Sequence, residues 1–157
     1  MKGTVTMRIA TTLLVALAAS AHADDGPQAV RVPLLPKVQQ ECASCHLAYP
    51  PGLLPAASWA RLMDNLPRHF GTDASLDAPA TQAIATWLVA NAGTYKKVNE
   101  APPQDRITRS AWFVREHREI ALATWQRASI KSPAQCAACH TQADAGSFRE
   151  REIRIPK

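Results

Sequence analysis

Two short segments carry the side chains best suited to chemistry: Cys42-Ala43-Ser44-Cys45-His46 and Cys136-Ala137-Ala138-Cys139-His140. They use all 4 cysteines of the 157-residue chain, and a histidine follows each pair at once. On one helical turn, residues at i and i+3 share a face. Two thiols so placed can each form a thioether to a porphyrin vinyl group, while the next residue brings its imidazole under the iron. C-x-x-C-H is the signature of covalent c-type haem attachment. The residues between the cysteines are small, so a porphyrin edge can approach the backbone. A disulfide framework or a zinc site would also use the cysteines, but would leave both histidines idle. With 5 histidines in 157 residues, independent placement would put one after both pairs only about once in a thousand.

An iron that only carries electrons needs a second axial ligand, usually His or Met. Past residue 23 and outside the two motifs, the chain offers His69, His117 and Met63. Taken alone, His69 reads as a loop histidine and His117 as a solvated one among charges. Two irons to satisfy make both candidate ligands, giving four metal-ligating residues: His46, His69, His117 and His140. His46 stands as far before His69 as His117 stands before His140, which suggests those two pairings. The crossed arrangement, which would interlock the two halves, stays open at this level. Met63, between Leu62 and Leu66 and near Trp59, is expected in the core and is the runner-up sixth ligand for the first iron. A carbonyl of the rigid Tyr49-Pro50-Pro51-Gly52 loop is the expected acceptor for the second ring nitrogen of His46. No acceptor suggests itself for His140.

Helix signals dominate and strand signals are weak, so the expected fold class is all-α, or mainly α. Pro36 can open a short helix into the first motif. A second should run from Ser58 past Trp59, Leu62 and Met63 until Pro67 ends it. Asp77 ahead of Pro79 reads as the N-cap of a helix to about Ala92, stopped by Gly93. Ser110 should cap a helix carrying Trp112, Phe113 and His117, and Ser132-Pro133 one that holds the second motif. Ile153 to Pro156 alternates like a short strand or an extended arm. The stretch 96–105 is polar and proline-rich and reads as a linker. It would join two small c-type haem modules, 24–95 and 106–157, each small enough to need a staple.

Residues 1–23 read as a secretory signal peptide: Lys2 and Arg8, an apolar run, then Ala21-His22-Ala23. Its apolar run is too short to cross a bilayer, and no membrane span is expected after it. Export implies the periplasm. Without Lys2 and Arg8 the formal charge falls from +5 to +3. The remaining basic residues are scattered rather than striped, apart from the C-terminal Arg149, Arg151, Arg154 and Lys157, so nucleic acid is not an expected partner.

The first motif, the Tyr49-Pro50-Pro51-Gly52-Leu53-Leu54-Pro55 loop, Ser58-Trp59, His69-Phe70-Gly71 with Asp73-Ala74-Ser75-Leu76, then Arg106-Ile107-Thr108, Phe113, His117 and the second motif together resemble the bacterial dihaem cytochrome c family. The proline loop and the His-Phe-Gly segment are more specific than the attachment motifs. The resemblance implies two covalently bound haem c groups with bis-histidine irons and a relatively low potential. It also implies redox partner proteins: an oxygen-binding periplasmic c-type cytochrome or a membrane-bound b-type cytochrome. A chain of this kind transfers electrons and is not an enzyme. The competing expectation is a dihaem peroxidase or small-molecule reductase, in which one distal ligand leaves to admit substrate.

Overall fold

The computed structural model describes residues 32–157, so the leader expected at 1–23 lies outside the described residues. Five α-helices joined by 3-10 turns make up its regular structure, and among the described residues two isolated β-bridges take the place of any strand. Helix α1 (Pro36–Cys42) opens on proline, whose missing N–H would be unpaired in the first turn anyway. Helix α2 (Ala56–Asp64) begins two residues before Ser58, with Pro55 at its N-cap. Ser58 is buried inside it, and its hydroxyl accepts from Arg61. Helix α3 (Ala78–Ala90) is capped by Asp77, whose carboxylate accepts the Ala80 N–H at 2.6 Å.

Helices α2 and α3 pack together and close the main core with Val38 of α1, joined by Ala48, Leu54, Trp59, Met63, Leu66, Ile84 and Leu88. The Trp59 indole N–H reaches across to the Pro51 carbonyl at 2.7 Å, which ties the proline loop to α2. Met63 is only 7% exposed inside this cluster, the place of a flexible apolar filler.

Gly93 does not stop α3 by adopting a left-handed conformation; Asn91 already forms the C-cap. Its role is close approach, since a Cβ there would lie 2.5 Å from the Gly52 carbonyl oxygen and 2.7 Å from Val98. The proline-rich stretch that follows is held against the first half. Val98 is 1% exposed, Asp105 accepts two hydrogen bonds from Arg61 at 2.6 and 3.0 Å, and Ile107 packs on the core.

The later part is irregular. Ser110 caps helix α4 (Ala111–Glu116) by accepting the Phe113 N–H at 3.2 Å, and α5 (Leu122–Trp125) is one turn long. The second motif is not on an α-helix: Cys136–Ala138 form a single 3-10 turn, and Ser132 only closes a turn before it, its hydroxyl accepting from Ala134 and its carbonyl from Gln135. The C-terminal segment forms a 3-10 turn at Glu150–Glu152 and one bridge, Ile153 to His140. From Ser110 onward the buried apolar side chains are only Phe113, Ile130 and Ala143. That is too little apolar burial for a region of this size to order itself.

Candidate functional site

Both attachment segments are tight backbone turns. In the first, Cys42 ends α1 and its carbonyl accepts the N–H groups of Cys45 and His46, each at 3.5 Å. In the second, the Cys136 carbonyl accepts from Cys139 at 3.2 Å and His140 at 2.9 Å. The C-terminal arm pins this turn from outside, with Arg154 donating to the Cys139 carbonyl at 2.8 Å and Thr141 Oγ1 to the Glu152 carbonyl at 2.8 Å. None of the four cysteines is in a disulfide, and no cluster of three or more His, Cys, Asp or Glu able to hold a metal occurs among the described residues. Burial raises the pKa of the Cys42, Cys136 and Cys139 thiols.

The four candidate histidines meet in two pairs. His46 lies with its ring centre 6.0 Å from that of His69, the planes 23° apart. His117 lies 6.1 Å from His140, the planes 73° apart. Each pair joins one motif histidine to one remote histidine. Two imidazole nitrogens bonded to one metal ion at about 2 Å each would hold their ring centres about 6 Å apart. The observed separations fit an iron held between the rings of each pair.

The remote histidines are aimed by local backbone. His69 follows the Leu66–Arg68 3-10 turn, and its carbonyl accepts from Thr72 at 3.0 Å across a turn through Phe70 and Gly71, which have φ of +51° and +97°. Glycine takes that conformation freely, whereas Phe70 is strained in it. The Arg106 guanidinium stands 4.2 Å over the Phe70 ring and holds the strained residue in place. His117 is the C-cap of α4, and its Nδ1 lies 2.9 Å from the Phe113 carbonyl.

On the motif side, His46 Nδ1 lies 2.7 Å from the Leu47 carbonyl, its own neighbour, and not from the proline loop expected to serve it. A donor Nδ1–H leaves the lone pair on Nε2, the form that binds a metal. His69 and His140 have no acceptor for Nδ1. Burial, then the neighbouring His46 and Arg106, lowers the pKa of His69; burial, then His117, lowers that of His140. Both shifts favour the neutral imidazole.

Aromatic rings flank each pair. Tyr49 stacks on His46 at 5.0 Å, and its hydroxyl donates to the Ala134 carbonyl at 2.9 Å, two residues before Cys136. Phe113 stacks on His117 at 4.0 Å with Trp125 at 5.8 Å, and Phe148 lies 5.2 Å from His140. The sequence marked neither Trp125 nor Phe148 as part of a site. The one available signal is their type, large aromatic rings in the stretch that holds the second motif and His117.

Residues 38–148 match the protein family described as dihaem cytochrome c. The chain belongs to that family. Among solved structures it is similar to dihaem cytochrome c purified from Rhodobacter sphaeroides, with 43% identity over 74% of this chain and 99% of that one, TM-score 0.65. It is also similar to the dihaem cytochrome sb-DHC of Shewanella baltica OS155, with 39% identity over 76% of this chain and 91% of that one, TM-score 0.68. No curated protein matches. Membership of the dihaem cytochrome c family implies two covalently bound c-type haems, and with them electron transfer to redox partners. The mainly helical architecture, without strands among the described residues, agrees with those structures. No helix among the described residues is long and apolar enough to cross a membrane.

Proposed function

We propose that this dihaem cytochrome c carries electrons in the periplasm through two bis-histidine haems, one between His46 and His69 and one between His117 and His140. The thioethers are assigned to Cys42 and Cys45 at the first haem and to Cys136 and Cys139 at the second. The observation that carries this reading is the spacing of the two imidazole pairs, 6.0 and 6.1 Å, each with one member from an attachment turn.

When bound, haem supplies reversible one-electron exchange at its iron. The rest is the work of this chain's side chains. His46 and His117 each rest Nδ1 on a backbone carbonyl, which leaves Nε2 as the nitrogen available to a metal. His69 is held by the turn through Phe70 and Gly71 that its bridge to Thr72 closes, and His140 by its bridge to Ile153. Tyr49 packs beside His46, Phe113 and Trp125 beside His117, and Phe148 beside His140, which leaves those imidazoles partly buried. An iron bound by the two imidazoles of a pair would have no coordination position left for a substrate, which supports a carrier over a peroxidase or reductase. The leader-like sequence at 1–23 supports export. The family resemblance supports an oxygen-binding c-type cytochrome or a membrane-bound b-type cytochrome as partner.

His69→Met tests the assignment. Replacing imidazole by thioether raises a haem potential. The first centre should rise by more than ~59 mV, one tenfold step for a one-electron couple. An unchanged pair of potentials would show that His69 is not on an iron.

A further inference from the structure

Positive charge gathers in the second part of the molecule. Residues 106–157 carry 10 Lys and Arg against 5 Asp and Glu, whereas residues 32–105 carry 5 against 6. Part of that charge is fixed at one place, outside the second attachment turn. The backbone N–H of Arg154 donates to the Cys139 carbonyl at 2.8 Å, and Arg127 Nη1 donates to the Pro156 carbonyl at 2.6 Å. The arm thus ties Arg127 to the turn through residues 154–156. Burial raises the pKa of the Cys139 thiol and the Arg127 charge opposes that rise, so the guanidinium stands near the sulfur.

The cations here meet neutral acceptors. Arg154 Nη1 donates to the Arg151 and Ile153 carbonyls at 3.1 and 2.6 Å, and among the described residues neither Arg127 nor Arg154 is in an ion pair. A carbonyl accepts the bond but leaves the guanidinium charge uncancelled. Arg127, Arg151 and Arg154 are exposed, and Ile155 beside them is 46% exposed. Of the acids at 150–157, Glu152 accepts from the Ser147 hydroxyl at 2.5 Å, and only Glu150 is exposed. At the first attachment turn the neighbouring Glu41 is paired with Lys37 at 3.8 Å, and Arg106, near the remote His69, is stacked on the Phe70 ring.

We propose that Arg127, Arg151 and Arg154, around the exposed Ile155, form a docking face for an acidic patch on a redox partner protein, which exchanges electrons there with the haem attached at Cys139. The inference rests on the reading of Cys136, Cys139 and His140 as attachment and ligand residues of the second haem. A haem joined to Cys139 by a thioether has an edge at that turn, so a partner seated on the arm approaches it directly. Uncancelled cations around one apolar side chain suit a brief electron-transfer encounter, which depends on fast, charge-steered arrival more than on a large buried interface. An anionic lipid surface would attract the same cations but brings no redox group to the haem edge.

The test uses the haem-loaded ferric protein and, as probe, a strongly acidic flavodoxin in its hydroquinone form, which gives one electron to a haem iron and becomes the semiquinone. Stopped flow follows haem reduction. The second-order rate should be at least about tenfold higher at ~10 mM ionic strength than at ~0.3 M, where screening confines the charges to well under ~10 Å. Arg127→Gln with Arg154→Gln should slow the low-salt reaction at least about fivefold and leave the high-salt rate within about twofold, as expected for charges that act on arrival. Arg127→Lys with Arg154→Lys, which keeps both charges, should stay within about twofold of the wild type, and so should Lys37→Gln with Lys96→Gln, an equal loss of charge outside the arm. If the Gln pair does not load haem, Arg154→Glu carries the test, since that side chain bonds only to neighbouring carbonyls; it should slow the low-salt reaction at least about fivefold. Low-salt rates that ignore the arm substitutions, or fall as far in the Lys37 and Lys96 pair, would overturn the docking face. So would loss of binding to phosphatidylglycerol vesicles in the Gln pair with unchanged flavodoxin rates, which would make the arm a membrane contact. Electron paramagnetic resonance of the oxidised protein checks the ligand reading separately. Irons without two nitrogen ligands would overturn that reading whatever the rates, whereas two bis-nitrogen irons with insensitive rates would overturn the docking face alone.

Discussion

Tyr49 joins the two haem regions, and removing its hydroxyl gives a measurable change. The phenol donates to the Ala134 carbonyl at 2.9 Å across 85 residues of sequence, while the ring stacks on His46. A hydrogen bond of this kind contributes about 0.5–1.5 kcal/mol net. Ala134 is exposed, so water can take over its carbonyl in a Phe variant, which places the loss near the low end. Tyr49→Phe should therefore cost about 0.5–1 kcal/mol, or roughly 2–5 °C in Tm for a domain of this size. Tyr49→Leu loses the ring stack as well, worth about 0.5–1.5 kcal/mol more. Burial also pushes the Tyr49 pKa up to about 12, so the folded state favours the neutral phenol. Its stabilisation is complete below the unfolded value near ~10 and is lost as pH rises toward 12. Thermal melts of the oxidised proteins, followed by the Soret band at neutral pH and near pH ~11, would measure both effects. The wild type should lose more stability on going alkaline than Tyr49→Phe. A Phe variant that melts with the wild type, or a Leu variant no worse than Phe, would refute the bridging role.

Two further outcomes are expected. The carboxyl of Asp105 is held below the usual carboxylate range, first by hydrogen bonding from Arg61, so its contribution is present above the unfolded value and lost as pH falls below about 4. Asp105→Asn should flatten the acid limb of a Tm-against-pH curve, and an unchanged limb would remove this pair from the account. The chain with all four cysteines replaced by alanine, unable to attach haem, should be largely unfolded by circular dichroism, because the part after Ser110 buries so few apolar side chains. A cooperative native-like melt would contradict this.

Much of the site could be read from sequence because its chemistry lies in rare residue types. Cysteine and histidine are few here, so the two motifs, His69 and His117 stand out without any knowledge of the fold. Helices α1 and α3 were legible for a different reason: Pro36 and Asp77 act through local backbone rules that need no tertiary context. The second motif was less so. Ser132-Pro133 looks like a helix start, yet no apolar stripe follows to hold a helix against a core, and only a 3-10 turn forms. The Nδ1 acceptor of His46 was also hidden, since a contact with the carbonyl of Leu47 depends on one ring rotation rather than on residue type. Tyr49 acts over distance, and nothing in its spacing announces that its hydroxyl ends on the Ala134 carbonyl.

Electron paramagnetic resonance of the oxidised protein tests the central claim most directly. Two low-spin ferric centres with two nitrogen ligands each should appear in equal amounts. Their signals should differ, because the imidazole planes are 23° apart in the first pair and 73° apart in the second. Near-parallel planes separate the iron orbitals that bond to the rings, giving a rhombic signal, and crossed planes leave them close in energy, giving a strongly anisotropic one. A high-spin ferric signal, or a centre with a sulfur ligand, would contradict the account.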